Sequence, residues 1–287
     1  MIEFALPPLV AVLAWWLGTG IVMLLDGLPR DTFRLTLGIA TLLAGAALVC
    51  IARSATQGTE GAAYAGFVCA VLVWGWHELT FLTGWLTGPR RTPCSAPHHG
   101  PTRLREAVLA ILWHELAILG TLALIAALTW REGNRVALAT FTLLWVMRLS
   151  AKLNLFLGVR NLGEPFLPEH LRYLPSYFRR RAMNALLPLV LLAGVAAVVA
   201  LVAEAMASHG GTRTGHLLVA SMLTLALFEH LLMVLPWQGT ALWRWAMRRQ
   251  ARQPATTAPG ATPAAATAAA AAAAAAVAAA PAGAAAP

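Results

Sequence analysis

The chain has 287 residues, of which 59% are hydrophobic and only 11% are charged, and its mean hydropathy is +0.68. Soluble domains carry about a quarter charged residues, so this composition excludes a soluble globular protein and indicates an integral membrane protein. A formal net charge of +9 would suggest nucleic-acid binding in a soluble chain. In a membrane protein the positions of the basic residues matter more, and no nucleic-acid partner is predicted.

Seven apolar runs are long enough to cross a bilayer, which takes about 20 residues. They predict an all-α, polytopic bundle of seven transmembrane helices. The predicted spans lie near 5–25, 35–52, 62–86, 104–129, 136–157, 185–206 and 214–236. The first run has neither a basic segment before it nor a small-residue cleavage site after it, so it is predicted to be a retained span rather than a signal peptide.

The chain beyond Pro236 divides into two parts. The segment WQGTALWRWAMRRQAR combines three Trp residues with arginines and predicts a helix lying at the membrane interface. Residues 251–287 are mostly Ala, Pro and Thr, a composition typical of a disordered tail without catalytic or ligand-binding residues. The predicted organisation is therefore a transmembrane domain over 1–250 and a tail over 251–287.

Basic residues are distributed unevenly between the two sides of the predicted bundle. The N-terminus and the connections after spans two, four and six carry 4 of them. The connections after spans one, three and five, together with the C-terminal segment, carry 15. Because Lys and Arg accumulate on the cytoplasmic side of membrane proteins, the N-terminus is predicted to lie outside and the C-terminus in the cytoplasm.

Eight ionisable residues lie deep within four of the predicted spans, where ionisable groups are energetically costly and therefore mark candidate functional positions. From the helical rise of about 1.5 Å per residue, four spans place such groups roughly 10–15 Å from their cytoplasmic ends. These residues are predicted to form one polar layer, which consists of His77, Glu78, His114, Glu115, Arg148, Lys152, Glu229 and His230.

A structural network is the first interpretation of this layer. Arg148 and Lys152 are spaced i and i+4 and so share one helix face, from which they would pair with carboxylates of other helices. A di-iron carboxylate centre has suitable ligand types but needs Glu-x-x-His on one face. Adjacent His-Glu pairs separate the two side chains by about 100°, so no metal ligand is predicted.

Tetrapyrrole ligation by one histidine is a further interpretation. A macrocycle lying against a helix needs a small residue one turn before its axial histidine. Ala110-x-x-x-His114 and Ala226-x-x-x-His230 provide this spacing and resemble the Ala-x-x-x-His pattern of light-harvesting polypeptides.

Two other cofactors are disfavoured. Retinal needs a lysine in the last span, and the only lysine, Lys152, lies in span five. Cys94 with His98 and His99 supplies soft ligands without a second pair, so this stretch is predicted to be a solvated loop rather than a zinc site.

The polar stretch 151–184 is predicted to face the cytoplasm. It mixes aromatic, basic and turn-forming residues, as a docking surface does, although an ordered interfacial loop without a partner has the same composition. An Arg pair after span three is suited to lipid head groups or an acidic partner. The candidate docking residues are Arg90, Arg91, Asn154, Arg160, Asn161, Glu164, His170, Tyr177, Arg179, Arg180 and Arg181.

Two stretches resemble a known family. One runs from His77-Glu78-Leu79 through Leu86-Thr-Gly-Pro-Arg-Arg-Thr-Pro-Cys94. The other runs from Ala151-Lys-Leu-Asn-Leu-Phe-Leu-Gly158 through Phe166-Leu-Pro-Glu-His170 to Tyr177-Phe-Arg-Arg-Arg181. Together they are similar to the photosynthetic complex assembly protein 2 family (PuhE) of purple and related phototrophic bacteria, over roughly residues 1–245. Ala182 departs from the Pro expected before Met183-Asn184.

The resemblance implies a multi-pass protein of the bacterial inner membrane that assists assembly of reaction-centre and light-harvesting complexes or modulates bacteriochlorophyll supply. The implied partners are membrane lipids and either photosynthetic complex subunits or pigment-synthesis proteins. Bacteriochlorophyll or another tetrapyrrole is the cofactor it suggests, and no catalytic residues come with it. The alternative is a membrane enzyme or transporter of tetrapyrrole metabolism that uses the same polar layer.

Overall fold

The computed structural model describes residues 2–95, 100–164 and 167–236. Over these residues the fold is a bundle of seven long helices. They are α1 Ile2–Asp26, α2 Phe33–Ala55, α3 Glu60–Leu82, α4 Pro101–Leu128, α5 Val136–Leu157, α6 Leu186–Ala207 and α7 Gly210–Leu232. Each helix is long and apolar enough to cross a membrane, which confirms the predicted all-α polytopic bundle. The predicted interfacial segment and the predicted tail lie outside the described residues.

Two helices end about one turn earlier than the sequence predicts. The third span was expected to continue to residue 86, but α3 ends at Leu82, and α7 likewise ends at Leu232 rather than 236. After α3 the chain turns at Gly84, whose φ is +78° and where a Cβ would lie 2.9 Å from the His170 ring. The apolar residues Trp85 and Leu86 extend the hydrophobic pattern without extending the helix.

The connections at one end of the bundle are held together by contacts between distant parts of the chain. The His170 ring donates from Nε2 to the Leu82 carbonyl at 2.7 Å, and the Asn161 amide donates to the Leu232 carbonyl at 2.7 Å. These contacts join the α3–α4 and α5–α6 connections and the end of α7, and the α1–α2 connection lies beside them because Arg30 and Asp31 line a cavity together with Gly84 and His170. We call this surface the arginine-rich end because it carries the basic connections.

The opposite end of the bundle is closed by shorter connections. The Asn134 N–H donates to the Ala55 carbonyl at 3.1 Å, and Arg213 forms an ion pair with Glu3 at 3.0 Å. Gly211, at the start of α7, lies so close to the α2–α3 connection that a Cβ there would lie 2.4 Å from the Gly58 oxygen. The α2–α3, α4–α5 and α6–α7 connections therefore lie together beside the start of α1. Successive helices therefore run in alternating directions, as the seven predicted spans require.

The centre of the bundle is formed mainly by α3 and α7. Half of the apolar stretch of α3 and 56% of that of α7 are buried, against 11% for α1 and for α6. α2 packs on α3, and α6 packs on α7. The main core cluster, built around Ile51, Ile118, Ile125 and Phe141, joins α2, α4 and α5 to α3. The outer helices leave many large apolar side chains exposed, as expected for surfaces that face lipid.

The orientation of the bundle remains a prediction that reporter fusions test. A periplasm-active phosphatase fused after Arg249 should be inactive, because the charge bias places that end in the cytoplasm. The matched control is the same enzyme inserted after Arg131, at the opposite end, where it should be active. High activity after Arg249 together with low activity after Arg131 would reverse the predicted orientation.

Candidate functional site: a buried polar layer and the arginine-rich end

The polar layer is organised by α5, which sends polar side chains to three other helices. Arg148 donates from Nε and Nη2 to the two carboxylate oxygens of Glu78 on α3, both at 2.9 Å. This is a bidentate pair, the geometry in which an arginine–carboxylate interaction is strongest. The Arg148 side chain is 39% exposed at the side of the bundle, whereas the Glu78 side chain is 16% exposed.

Lys152 lies one turn after Arg148 but reaches a different helix. Its ammonium group pairs with Glu115 of α4 at 2.5 Å, and it lies 5.7 Å from the centre of the Phe81 ring. The second oxygen of Glu115 accepts a hydrogen bond from the Trp145 indole at 3.3 Å. The shared face of Arg148 and Lys152 therefore connects α5 to both α3 and α4.

The polar groups of α7 also have partners on other helices. Glu229 accepts a hydrogen bond from the Trp15 indole of α1 at 2.7 Å. His230 is buried, with Nδ1 2.8 Å from the Ala226 carbonyl and Nε2 3.0 Å from the Ser150 hydroxyl. Nδ1 therefore carries the proton and donates to the carbonyl, and Nε2 accepts from Ser150. With both nitrogens engaged, His230 offers no free axial ligand to a tetrapyrrole in this conformation.

The two remaining histidines lie side by side between α3 and α4. His77 and His114 are each fully buried, and their ring centres are 6.3 Å apart. His77 Nε2 lies 3.0 Å from the Thr121 hydroxyl. Neither ring nitrogen of His114 has a hydrogen-bond partner among the described residues, and the Phe81 ring lies 4.6 Å away. His77 Nδ1 is also without a partner among the described residues. Since a buried polar group without a partner is costly, His114, with both ring nitrogens unpartnered, is the member of the layer that its contacts explain least.

The chain after α3 folds back onto α4 beside His114. The His114 N–H donates to the Thr87 carbonyl at 2.9 Å, and the Arg90 N–H donates to the Leu109 carbonyl at 3.3 Å. Gly88 sits so close to α4 that a Cβ there would lie 2.1 Å from the Leu109 oxygen and 2.7 Å from the Ala110 oxygen. Residues 87–90 thus cover the surface of α4 at Ala110. This is the surface against which the Ala110-x-x-x-His114 pattern predicted that a tetrapyrrole could lie.

No group of three or more His, Cys, Asp or Glu side chains suited to a metal ion occurs within the described ranges. Within the layer the carboxylates of Glu78 and Glu115 are each committed to a cation of α5. The backbone N–H of Cys94 donates to the Ser176 hydroxyl at 2.8 Å. His98 and His99, the other members of the disfavoured zinc grouping, lie outside the described residues.

The predicted docking residues separate into interior and exposed groups. Asn154 and Tyr177 are buried, so they make contacts inside the protein rather than forming part of an exposed docking surface. Tyr177 donates from its hydroxyl to the Thr92 carbonyl at 2.9 Å and accepts from Arg90 at 2.8 Å, and burial raises its pKa. Arg90 also pairs with Glu106 at 3.2 Å. These contacts join the connections of the arginine-rich end to one another.

The exposed members of the docking set are mostly arginines. Arg180 forms a loose surface ion pair with Glu164 at 3.4 Å, while Arg179 is half-buried. His170 and Asn161 are half-buried and bound to the ends of α3 and α7. The residues left facing outward are Arg91, Arg160, Glu164, Arg180 and Arg181.

Comparison with known proteins covers most of the chain. Residues 1–254 match the model of a family described as "Protein of unknown function (DUF3623)". The chain belongs to the DUF3623 family. It is also 36% identical over 256 residues, which cover 87% of this chain and 92% of the relative, to an "uncharacterized 30.4 kDa protein in puhA 5′region" of Rhodobacter capsulatus. No solved structure matches the chain.

The DUF3623 chain contains buried polar residues that the sequence analysis did not single out. Arg103 is 4% exposed; it donates to the carbonyls of Phe156 and Tyr177, and its guanidinium lies 3.9 Å above the Phe156 ring. Its position before a span made it look like an ordinary flanking charge. Asn184 donates to the Asn154 side chain at 2.9 Å and accepts from the Leu186 N–H at 2.9 Å. An Asn before an apolar helix is a typical capping signal, which could have identified it.

Proposed function

We propose that this protein is an inner-membrane factor that assists assembly of photosynthetic reaction-centre and light-harvesting complexes. The observation that carries the proposal is its 36% identity, over most of both chains, to the Rhodobacter capsulatus protein named for the puhA 5′ region. The resemblance of the His77–Cys94 and Ala151–Arg181 stretches to the PuhE assembly family leads to the same proposal from different evidence.

The polar layer is better suited to a structural role than to catalysis. Two cations of α5 are paired with carboxylates of α3 and α4, and Glu229 and His230 link α7 to α1 and α5. Groups committed to one another in this way hold helices in register, since separating a buried pair leaves an unpaired charge. In this proposal the layer braces the bundle, and contacts with partners take place elsewhere.

The surface proposed to contact partners is the exposed arginine group Arg160, Arg180 and Arg181. The backbone beneath it is ordered by contacts within the chain: the Val159 N–H donates to the Arg179 carbonyl at 3.2 Å, and the Arg181 N–H donates to the Val159 carbonyl at 3.1 Å. Such a preformed surface binds without the entropic cost of ordering a loop. Its chemistry fits an acidic segment of a partner at the cytoplasmic side.

Complementation of a deletion strain tests this proposal. The deletion should lower the near-infrared absorbance of assembled complexes, and wild-type protein should restore it. A variant with Arg160, Arg180 and Arg181 replaced by Gln should accumulate in the membrane like wild type but restore several-fold less absorbance, because partner contacts are lost.

The matched control replaces Arg53, Arg131 and Arg135 by Gln, three exposed arginines at the opposite end of the bundle. This variant should restore complexes fully. A deletion strain with normal complexes would exclude the assembly role. Equal restoration by the two triple variants would exclude the arginine surface while leaving the assembly role in place.

Pigment handling is the second candidate function, and the buried, unpartnered ring of His114 is the observation that favours it. Ligation there requires residues 87–90 to move away from α4, since Gly88 packs against the backbone carbonyl groups of Leu109 and Ala110. Protein purified from a phototroph should then carry tetrapyrrole absorbance, and His114→Leu should remove it without lowering protein abundance. Colourless wild-type protein, prepared in the mildest detergent that keeps it folded, would exclude this candidate.

A further inference from the structure

A cavity of about 720 Å³ opens at the arginine-rich end, between the α1–α2 connection, the chain after α3 and the segment around residue 170. Guanidinium groups of three described residues line it: Arg30 comes from the α1–α2 connection, Arg34 from the first turn of α2, and Arg91 from the connection to α4. Among the described residues of its wall, Asp31 is the only one with a carboxylate. The cavity therefore carries a formal excess of two positive charges.

The three arginines have no competing partners in the described part of the chain. None of them forms an ion pair there, and all three are exposed. The fourth basic side chain in the wall, His170, donates from Nε2 to the Leu82 carbonyl. Burial lowers the pKa of His170, and the neighbouring Arg30 and Arg91 guanidiniums lower it too. The positive charge available to an anion is thus that of the arginines.

Two hydroxyl groups distinguish this cavity from an ordinary basic patch. Thr87 and Tyr173 both line it, and both hydroxyls are buried without a hydrogen-bond partner among the described residues. Buried hydroxyls normally find partners, and a phosphate offers strong acceptor oxygens to such donors. Guanidinium groups suit the same ligand because their planar N–H fork matches phosphate oxygens.

The position of the cavity indicates where its ligand comes from. Trp85, in the cavity wall, is 60% exposed, and Leu35, which directly follows Arg34, is 70% exposed. Trp side chains concentrate at the membrane–water boundary, and an exposed Leu on an outer span faces acyl chains. A ligand with a phosphate group in the cavity and apolar chains beside Trp85 would satisfy both parts of the surface.

We propose that this cavity binds the phosphate-bearing headgroup of an anionic phospholipid, with the acyl chains lying beside Trp85. Basic pockets at the cytoplasmic ends of membrane helices are suited to such headgroups. The site is separate from the surface formed by Arg160, Arg180 and Arg181, so its test does not depend on the assembly role.

Binding to the purified full-length protein in a non-ionic detergent tests the site. The probes are dihexanoyl phosphatidylglycerol, dihexanoyl phosphatidylcholine and glycerol 3-phosphate. Phosphatidylglycerol should bind wild type at one molecule per chain. Replacing Arg30, Arg34 and Arg91 by Gln should weaken binding on the order of 100-fold, because each cation near an anionic lipid contributes about a fivefold factor. The control with Arg160, Arg180 and Arg181 replaced by Gln should bind within about twofold of wild type.

The three probes separate the sources of the phosphate. Phosphatidylglycerol bound much more tightly than the other two supports the lipid assignment. Glycerol 3-phosphate bound equally tightly would overturn it in favour of a soluble phosphate. Equal binding by both triple variants would overturn the site itself. If the cavity triple variant fails to fold, Arg91→Gln and Tyr173→Phe replace it, and unchanged affinity in both would likewise overturn the site.

Discussion

Gly88→Ala is expected to lower the stability of the protein by about 3 kcal/mol or more, the upper range for overpacking a well-filled site. The added Cβ would lie 2.1 Å from the Leu109 oxygen, 2.5 Å from the Ala110 carbon and 2.7 Å from the Ala110 oxygen. All three are backbone atoms of a helix, so they cannot move aside as a side chain can. Residues 87–90 would have to leave α4.

Thermal unfolding in detergent measures this effect, with an expected decrease of roughly 6–12 °C in the midpoint. Gly120→Ala is the matched control, because Gly120 lies on α4, the helix that Gly88 packs against, and a Cβ at Gly120 meets no atom within 4 Å. In an exposed helix interior, Ala is more stable than Gly by about 0.5–1 kcal/mol, so the control should raise the midpoint slightly. An unchanged midpoint in Gly88→Ala would show that residues 87–90 do not pack on α4 as described.

The helices of this fold could be predicted from the sequence because each is a long apolar run, and run length alone decides whether a segment can cross a bilayer. The same argument made the polar layer visible, since every charge inside an apolar run is conspicuous. The ends of the helices could be predicted less accurately from the sequence. The turn at Gly84 depends on His170, which is 86 positions away in the chain, and local patterns do not contain that contact.

For the two cations of the layer, the sequence predicted that the partners would be carboxylates but not which carboxylate each cation would contact. The spacing of Arg148 and Lys152 indicated that both would need carboxylates from other helices. Which carboxylate each would take depends on the lateral arrangement of α3 and α4 around α5, and the periodicity of single helices does not specify that arrangement. In the structure the two cations diverge, Arg148 to Glu78 and Lys152 to Glu115.

The loop residues were the hardest to interpret from the sequence. Asn154 and Tyr177 were grouped with the arginines as docking candidates, but both are buried. Composition identifies a segment as polar and aromatic, whereas burial depends on distant contacts, here the bond from Tyr177 to the Thr92 carbonyl, 85 positions away. The basic cavity could not be predicted from the sequence either, because its arginines belong to the α1–α2 connection, the first turn of α2 and the α3–α4 connection.

Arg148→Leu is expected to be the most damaging single substitution in the layer. It leaves Glu78, whose side chain is only 16% exposed, without the cation that donates to both of its oxygens. Removing one partner of a buried pair typically costs about 3–5 kcal/mol. We expect a large fall in steady-state abundance in the membrane and a lower unfolding midpoint for the protein that can be purified.

Combining Arg148→Leu with Glu78→Leu should recover much of that loss. The double variant replaces a charge pair by two apolar side chains, and such exchanges are often neutral because the cost of removing two charges from water disappears with them. The comparison is Arg148→Leu combined with Glu115→Leu. Glu115 pairs with Lys152 instead, so this second combination leaves both Glu78 and Lys152 without their partners and should be worse than either single variant.

A coupling energy of about 0.5–3 kcal/mol between positions 148 and 78, absent between 148 and 115, is the signature of the pairing seen in the structure. Additive losses in both combinations would mean that the layer does not hold the helices together through these pairs, and the scaffold role proposed for it would then fail.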